Sequence, residues 1–219
     1  MKTRVILLIM YCIVFVLPAQ NDTIKVTSSK QYYDSVDAYV KTITVNFGTG
    51  VFIPQGKLQR YFGNAPLFEL NANFPLKKGK SIDGVFQFVI PNQQDDFLYL
   101  RTIDTVQAKS TLMFNLFLRF KKSMYNSQKS KVDFGLGIGA STITTDARNP
   151  FYSGEDDENK YELITAFLLM PGVELKHKFS EHTEFTFSFD LQYSPYKIEG
   201  ALREDIGTLA LIPKISYRF

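Results

Sequence analysis

Apolar and polar residues alternate along eight stretches of this chain. The clearest is TEFTFSFDLQYS at 183–194, in which the odd positions from Phe185 to Tyr193 are apolar and the positions between them are polar. A period of two residues predicts a β-strand with one apolar face. The same pattern predicts further strands at 42–53, 67–74, 82–90, 111–121, 132–141, 161–179 and 208–219.

The connections between these strands alternate in length. Those after the second, fourth and sixth strands are short and polar, whereas those after the odd-numbered strands are longer. No helix of amphipathic period separates the strands, which predicts an antiparallel meander and excludes a parallel βαβ fold. Pro171 and Pro213 lie inside predicted strands. We expect a local bulge at each, or strand sections that extend beyond the lipid.

The amino-terminal residues have the layout of a secretory signal. Lys2 and Arg4 precede an apolar stretch that is too short to cross a bilayer as a helix, and small Ala19 follows. We therefore expect residues 1–20 to be a signal peptide, 21–41 a periplasmic segment and 42–219 the barrel. Cleavage would remove Cys12, the single cysteine, and bulky Tyr11 before it disfavours a lipid anchor.

Alternation alone permits two inverse structures. A soluble barrel turns its apolar face inward, and an outer-membrane barrel turns it toward lipid. The secretory signal, the alternating loop lengths and the aromatic strand ends all favour the membrane form. We expect one aromatic girdle at Phe74, Phe120, Phe179, Tyr217 and Phe219, and a second at Phe62, Tyr99, Tyr161, Tyr193 and Tyr196.

The chain resembles a known family, the small eight-stranded outer-membrane β-barrels, particularly those of Bacteroidota. The resemblance rests on the signal ending PAQ, the first strand GTGVFIP, the strand count from Thr42 to Phe219 and the terminal YRF. It implies an all-β fold, an eight-stranded antiparallel up-and-down transmembrane barrel with a filled polar lumen. It also implies that Tyr217 and Phe219 form the signal that the barrel-assembly machinery reads.

The polar faces of the strands predict a charged interior. Eight strands enclose only enough space for side chains, so acids and bases that point inward can pair. We also expect glycines of the first and fifth strands to make room for long side chains, and the barrel to be plugged, without an open pore. The predicted lumen network consists of Glu69, Arg119, Asp133, Glu174, Lys176, Asp190, Lys214 and Arg218.

Candidate chemistry elsewhere is sparse. His177 and His182 flank one short turn, near Ser180 and Glu181, and a solvated interfacial histidine is favoured there over a catalytic one. The acidic run at 155–158 is favoured as a solvated loop over a Ca²⁺ site, and Lys57 and Arg60 could contact lipopolysaccharide phosphates. We expect no catalytic residue, no cofactor and no metal. The near balance of basic and acidic residues gives no basic stripe for a nucleic acid.

These observations predict a non-enzymatic outer-membrane protein with a structural or binding role, either free-standing or as an accessory subunit of a larger complex for secretion, barrel assembly or uptake. The expected partners are outer-membrane lipid, lipopolysaccharide and the barrel-assembly machinery, with both termini in the periplasm. Two alternatives stay open: a lipid-modifying outer-membrane enzyme and a secreted lipocalin-like carrier.

Overall fold

The computed structural model describes residues 36–100, 105–148, 161–179, 184–198 and 204–218. The chain divides into two units, Met1–Val40 and Lys41–Phe219. Residues 36–40 of the first unit are helical. The second unit contains helix α1 (Leu58–Tyr61) and strands β1 (Thr44–Gln55), β2 (Ala65–Leu76), β3 (Lys80–Val89), β4 (Phe97–Leu100), β5 (Thr105–Ala108), β6 (Ser110–Asn126), β7 (Ser130–Arg148), β8 (Tyr161–Lys178), β9 (Glu184–Lys197) and β10 (Asp205–Arg218).

Eight of these strands form one closed barrel in the order β1-β10-β9-β8-β7-β6-β3-β2. The first and last strands pair antiparallel from Asn46↔Arg218 to Gln55↔Leu209, which closes the barrel. Every stretch predicted from the period of two overlaps one of these strands and extends at most two residues beyond it, so the predicted fold is confirmed. Of the described helices, none is long and apolar enough to cross a membrane.

The two ends of the barrel differ in their connections. At the turn end are the short connections between β2 and β3, between β6 and β7 and between β8 and β9, together with the start of β1 and the end of β10. At the loop end are the four longer connections. Two of these contain structure that the alternation did not predict: α1 follows β1, and β4 pairs with β5 as a separate hairpin between β3 and β6.

The outer wall is apolar. Alternate side chains of the barrel strands project outward as exposed hydrophobic groups; for example, Leu116 is 62% exposed. Phe120, Phe179 and Tyr217 are exposed near the turn end, and Tyr193 is exposed toward the loop end, as predicted for girdles. Phe62 and Tyr196 do not belong to a girdle, because both side chains are buried inside. The side chains of Tyr99 and Tyr161, and Phe219 itself, lie outside what the structure describes.

The two strand prolines cause no bulge. The register continues without a shift through Leu136↔Pro171 and through Pro213↔Phe189. A residue in an antiparallel sheet directs its N–H and C=O to one neighbouring strand, so a proline weakens only one of its two ladders. The pairing shows this weakening. The ladder between β8 and β9 is interrupted at residues 170–171, which include Pro171. The ladder between β1 and β10 is interrupted at residues 51–52, which lie across from Pro213 and its neighbour. The expected bulges were therefore wrong.

Candidate functional site

The centre of the barrel interior is a buried arginine surrounded by carboxylates. Arg119 on β6 is 1% exposed. Its Nη1 donates to Glu174 Oε1 at 3.0 Å, and its Nη2 donates to Asp190 Oδ2 at 3.1 Å and Glu69 Oε2 at 3.3 Å. Lys214 approaches from β10, with its Nζ 2.7 Å from Asp190 Oδ2 and in direct contact with Glu69. Three strands thus deliver carboxylates to one guanidinium.

A second group of ion pairs continues toward the turn end. Lys121 Nζ lies 2.6 Å from Asp83 Oδ2 and 3.1 Å from Glu174 Oε2. Beyond it, Lys176 Nζ and Lys131 Nζ each lie 3.1 Å from Asp133 Oδ2. Lys176 also faces Glu174 at 3.9 Å, so the two groups join. We call the connected set the ionic network: Glu69, Asp83, Arg119, Lys121, Lys131, Asp133, Glu174, Lys176, Asp190 and Lys214.

The ionic network contains five acidic and five basic residues, so its formal charge is zero. This balance is physically necessary, because desolvating an unpaired charge costs several kcal/mol. Each carboxylate contacts at least one cation. A network balanced in this way has no charge left over for a ligand or a passing ion.

Small residues make room for these long side chains. A Cβ placed on Gly135 would lie 3.2 Å from Arg119 Cδ, and one placed on Gly50 would lie 2.6 Å from Lys214 Cβ. A side chain at Gly50 would therefore collide with the stem of Lys214. Gly50 and Gly135 thus accommodate long basic side chains, as the sequence predicted. Gly48 lies instead beside Ser216, and Gly137 and Gly139 lie beside Phe117.

Above the ionic network lies a layer of neutral polar side chains. Gln87 Nε2 donates to Glu69 Oε2 at 2.7 Å, which links the two layers. Asn115 Nδ2 donates to Gln87 Oε1 at 2.9 Å and to Gln192 Oε1 at 3.1 Å. Gln192 Nε2 in turn donates to the Tyr196 hydroxyl at 3.0 Å. These side chains are buried, so their mutual bonds replace those that water would have supplied.

The loop-end half of the interior is apolar. It is filled by buried side chains that we call the apolar core, which include Phe52, Leu58, Phe62, Leu67, Met113, Ile143, Leu168, Met170 and Ile212. The sequence of β8 explains its part in this core. Both faces of the run from Leu163 to Met170 are apolar apart from Thr165, so the inward face is apolar as well as the outward one. The predicted polar lumen is therefore found in the turn-end half, whereas the loop-end half resembles the inside of a soluble protein.

Helix α1 and strand β4 cap the apolar core. Leu58 packs against Gly207 of β10, where a Cβ would lie 2.4 Å from the Leu58 nitrogen and φ is +125°. Phe97 of β4 packs against Tyr61 and Phe62, with ring centroids 5.5 and 5.9 Å apart. The loop connections thus fold back over the barrel and bury aromatic side chains in its mouth.

Two salt bridges hold the cap at its polar rim. Lys57 Nζ lies 2.6 Å from Asp205 Oδ2, and Arg60 Nε donates to Asp95 Oδ2 at 3.1 Å. The hydrogen bond from Lys57 holds the pKa of the exposed Asp205 carboxyl below its ordinary value. Both cations that we considered for lipopolysaccharide contact are thus engaged with acids of this chain.

Little free space is left next to the ionic network. A cavity of about 10 Å³ lies among Glu69, Lys121 and Glu174, which is near the lower limit for one water molecule. A larger polar cavity of about 260 Å³ opens at the turn end, which we call the turn-end cavity. Its described lining includes Lys129, Lys131, Lys176, Lys178, Glu184 and Arg218.

The structure brings together seven of the eight residues predicted for the lumen network. Arg218 is the exception, because it is exposed at the turn end and lines the turn-end cavity. The prediction missed Asp83 and Lys121, which share a face with predicted members, and Lys131 at the rim. Tyr217 of the predicted assembly signal packs against Phe185, with ring centroids 5.6 Å apart, and Phe219 lies outside the described residues.

The remaining candidates form no catalytic arrangement in the described part of the chain. His177 Nδ1 lies 2.9 Å from Ser130 Oγ, and its ring packs edge-on against Phe179 at 4.7 Å. The acidic run at 155–158, weighed above as a Ca²⁺ site, and the turn residues 180–182, which include His182, lie outside the described residues.

No protein-family model and no curated protein matches this sequence. Among solved structures, Neisserial surface protein A has a TM-score of 0.55 at 7% identity, covering 81% of this chain and 97% of that chain. A major outer membrane protein from Thermus thermophilus has a TM-score of 0.42 at 10% identity, covering 81% and 100%. Ail of Yersinia pestis has a TM-score of 0.40 at 12% identity, covering 81% and 96%.

These likenesses concern the fold, and the first one matches the geometry described above. A closed antiparallel barrel of eight strands with an apolar wall and paired charges inside is the fold of the small outer-membrane β-barrels. In this chain, that fold encloses a lumen that is filled from the ionic network to the cap.

Proposed function

We propose that this protein is an integral outer-membrane barrel without enzymatic activity, whose role is structural or one of binding through its surfaces. One observation carries the proposal: the barrel buries charge and exposes hydrocarbon. Arg119 is 1% exposed while outward-facing Leu116 on the same strand is 62% exposed. Such a wall is stable only against lipid, and the filled interior leaves the surfaces to interact with partners.

The orientation is part of the proposal. In outer-membrane barrels, short turns face the periplasm and longer loops face the exterior. The turn end would then be periplasmic, together with the amino-terminal and carboxyl-terminal ends of the barrel. The capped loop end would present a structured surface of α1 and the β4–β5 hairpin to the outside. This surface, the lipid-facing wall or the periplasmic segment would provide the binding sites for an assembly partner.

Heat-modifiability tests the membrane barrel. Protein extracted from membranes should run as a compact band on semi-native gels and shift on boiling, and should resist carbonate extraction. A soluble protein without a shift would contradict the proposal. It would favour a lipocalin-like carrier, which needs the opposite burial pattern from the one found here.

Planar-bilayer recording tests the filled lumen. The purified protein should give no steady single-channel steps, because Arg119, Lys214 and their carboxylates occupy the cross-section. Large and regular conductance steps would show that the interior opens.

A mild-detergent pull-down from native membranes separates a free-standing protein from an accessory subunit. A partner that co-purifies in stoichiometric amount would identify the assembly. The enzyme alternative is tested by changing His177 and His182 together: unchanged lipid A and phospholipid profiles relative to the wild type are expected, and altered profiles would favour a lipid-modifying enzyme.

A further inference from the structure

The turn-end cavity carries positive charge that the ionic network does not use. Of the described residues that line it, five are cationic and Glu184 alone is a carboxylate. Lys131 and Lys176 are each 3.1 Å from Asp133 and so belong to the balanced network. The other three cations, Lys129, Lys178 and Arg218, form no ion pair within 4.0 Å in the described part of the chain.

This surplus distinguishes the cavity from the interior above it. In the ionic network, bases and acids are equal in number and each carboxylate contacts a cation. In the described lining of the cavity, three cations outside the network surround one space and face one carboxylate. All three side chains are exposed around the opening. Like charges gathered around one polar opening repel one another, and a bound anion relieves that repulsion.

The remaining lining supplies side-chain amides that donate hydrogen bonds. Asn126 and Gln128 lie at the cavity, and so does Asn46, which uses one amide N–H for Asn71. The hydroxyls of Ser127 and Ser130 already contact the Ser130 carbonyl oxygen and His177. Lysine acts as a point charge toward phosphate, and arginine can bind it with two parallel hydrogen bonds. The combination suits an anion with several acceptor oxygens distributed around a tetrahedral centre.

The volume limits the ligand. About 260 Å³ is roughly nine times the ~30 Å³ that a water molecule occupies in the liquid. It is slightly below the range of about 300–1,000 Å³ for sites that hold drug-sized ligands. The cavity therefore has room for one phosphate group with a small substituent.

We propose that the turn-end cavity is a binding site for a phosphate-class anion, either free phosphate or the phosphate of a lipid head group. Lys129, Lys178 and Arg218 supply the charge, and the amides around them supply neutral hydrogen bonds. This site is independent of the filled lumen and of any partner that binds the loop end. If the turn end faces the periplasm, the ligand comes from that compartment or from the inner leaflet.

Binding of inorganic phosphate to the purified full-length protein in phosphatidylcholine nanodiscs tests the site by calorimetric titration. The wild type should bind one phosphate saturably. The variant Lys129→Gln/Lys178→Gln/Arg218→Gln should bind at least about tenfold more weakly, because it removes the surplus charge. Its compact band on semi-native gels should be unchanged, since none of the three residues belongs to the ionic network.

A matched control removes the same charge from the same end of the barrel. Lys77→Gln/Lys80→Gln/Lys122→Gln changes three exposed lysines that do not line the cavity. This variant should bind phosphate within about twofold of the wild type, apart from the weak effect of screened distant charges. Absence of saturable binding, or equal losses in the two variants, would overturn the proposal.

Lipid composition separates the two sources of phosphate. If a lipid head group is the ligand, nanodiscs of phosphatidylglycerol should suppress inorganic phosphate binding relative to phosphatidylcholine. If free phosphate is the ligand, binding should be the same in both. In either case a failure to bind phosphate leaves the heat-dependent gel shift intact, so the barrel and the anion site are tested separately.

Discussion

The two halves of the barrel interior are stabilised by different interactions. Near the turn end, the inward-facing positions hold the ionic network, and each of its carboxylates has a cationic partner. Near the loop end, the inward-facing positions hold the apolar core, capped by α1 and β4. One half is filled by paired charges, and the other half is filled by packed hydrocarbon.

The surroundings of a single strand change along its length, as β9 shows. On β9 the inward side chains run from Ser188 and Asp190 through Gln192 to Tyr196, while the outward ones run from Phe187 to Lys197. The inside thus becomes less polar toward the loop end as the outside becomes more polar. We infer that the loop-end strand tips extend out of the lipid and fold there as a soluble protein does.

The largest effect should come from removing the central charge of the ionic network. Arg119→Met leaves Glu69, Asp190 and Glu174 short of positive charge, and breaking a buried pair in this way costs about 3–5 kcal/mol. The free energy of unfolding, measured by urea titration in lipid vesicles, should fall by that amount. Adding Asp190→Asn should recover part of the loss, because it removes one of the three carboxylates left short of positive charge. Lys214 then pairs with Glu69 alone. A double variant no more stable than Arg119→Met would contradict this account.

A cavity in the apolar core should have a somewhat smaller cost. Leu168→Ala removes a fully buried side chain, and such changes cost about 2–5 kcal/mol. Leu116→Ala on the lipid-facing wall is the matched control and should cost less, since lipid fills the space that is left. The loss at Leu168 should be insensitive to pH between roughly 5 and 8, because no carboxylate of the apolar core is present to titrate. Equal losses at both positions would show that the loop-end half is not tightly packed.

The cap over the apolar core depends on the absence of a side chain at Gly207. Gly207→Ala forces a Cβ to within 2.4 Å of the Leu58 nitrogen at a φ of +125°, and a strained position of this kind costs on the order of 1–3 kcal/mol. Amide hydrogen exchange in α1 should accelerate while exchange in β6 stays slow. Gly84→Ala is the control, because nothing lies within 4 Å of its Cβ position. Unchanged amide exchange in α1 would show that the cap does not depend on the missing side chain at Gly207.

The sequence predicted the barrel well because period-two alternation is a local signal. It placed seven charged residues in the lumen for the same reason, because odd and even positions of a strand lie on opposite faces of the sheet. The same alternation puts Asp83 and Lys121 on inward faces, a signal that the prediction did not use. Their 2.6 Å contact, in contrast, depends on the register of β3 against β6. That register joins residues far apart in the chain, so spacing along the sequence does not reveal it.

The apolar core and its cap were harder to predict for a different reason. Around Leu168 both faces of β8 are apolar, and an apolar run does not reveal which face is lipid and which is core. Helix α1 has only four residues, too few to be stable alone. Its position depends on the contact between Leu58 and Gly207, which are distant in sequence. Loop-end structure is therefore set by tertiary contacts that no local pattern encodes.

The smallest effect should come from the exposed pair that holds α1 at the rim. Lys57 and Asp205 are 71% and 50% exposed, and exposed pairs contribute about 0.2–1 kcal/mol. Because Lys57 lowers the pKa of Asp205 from its ordinary 3.8, the contribution is fully present above that value and is lost as pH falls through the lower folded pKa. Lys57→Gln should therefore accelerate exchange in α1 slightly at pH 7, and added salt should have the same effect on the wild type. A large effect at pH 7 would mean that the rim pair, rather than the packing of Leu58, holds the cap in place.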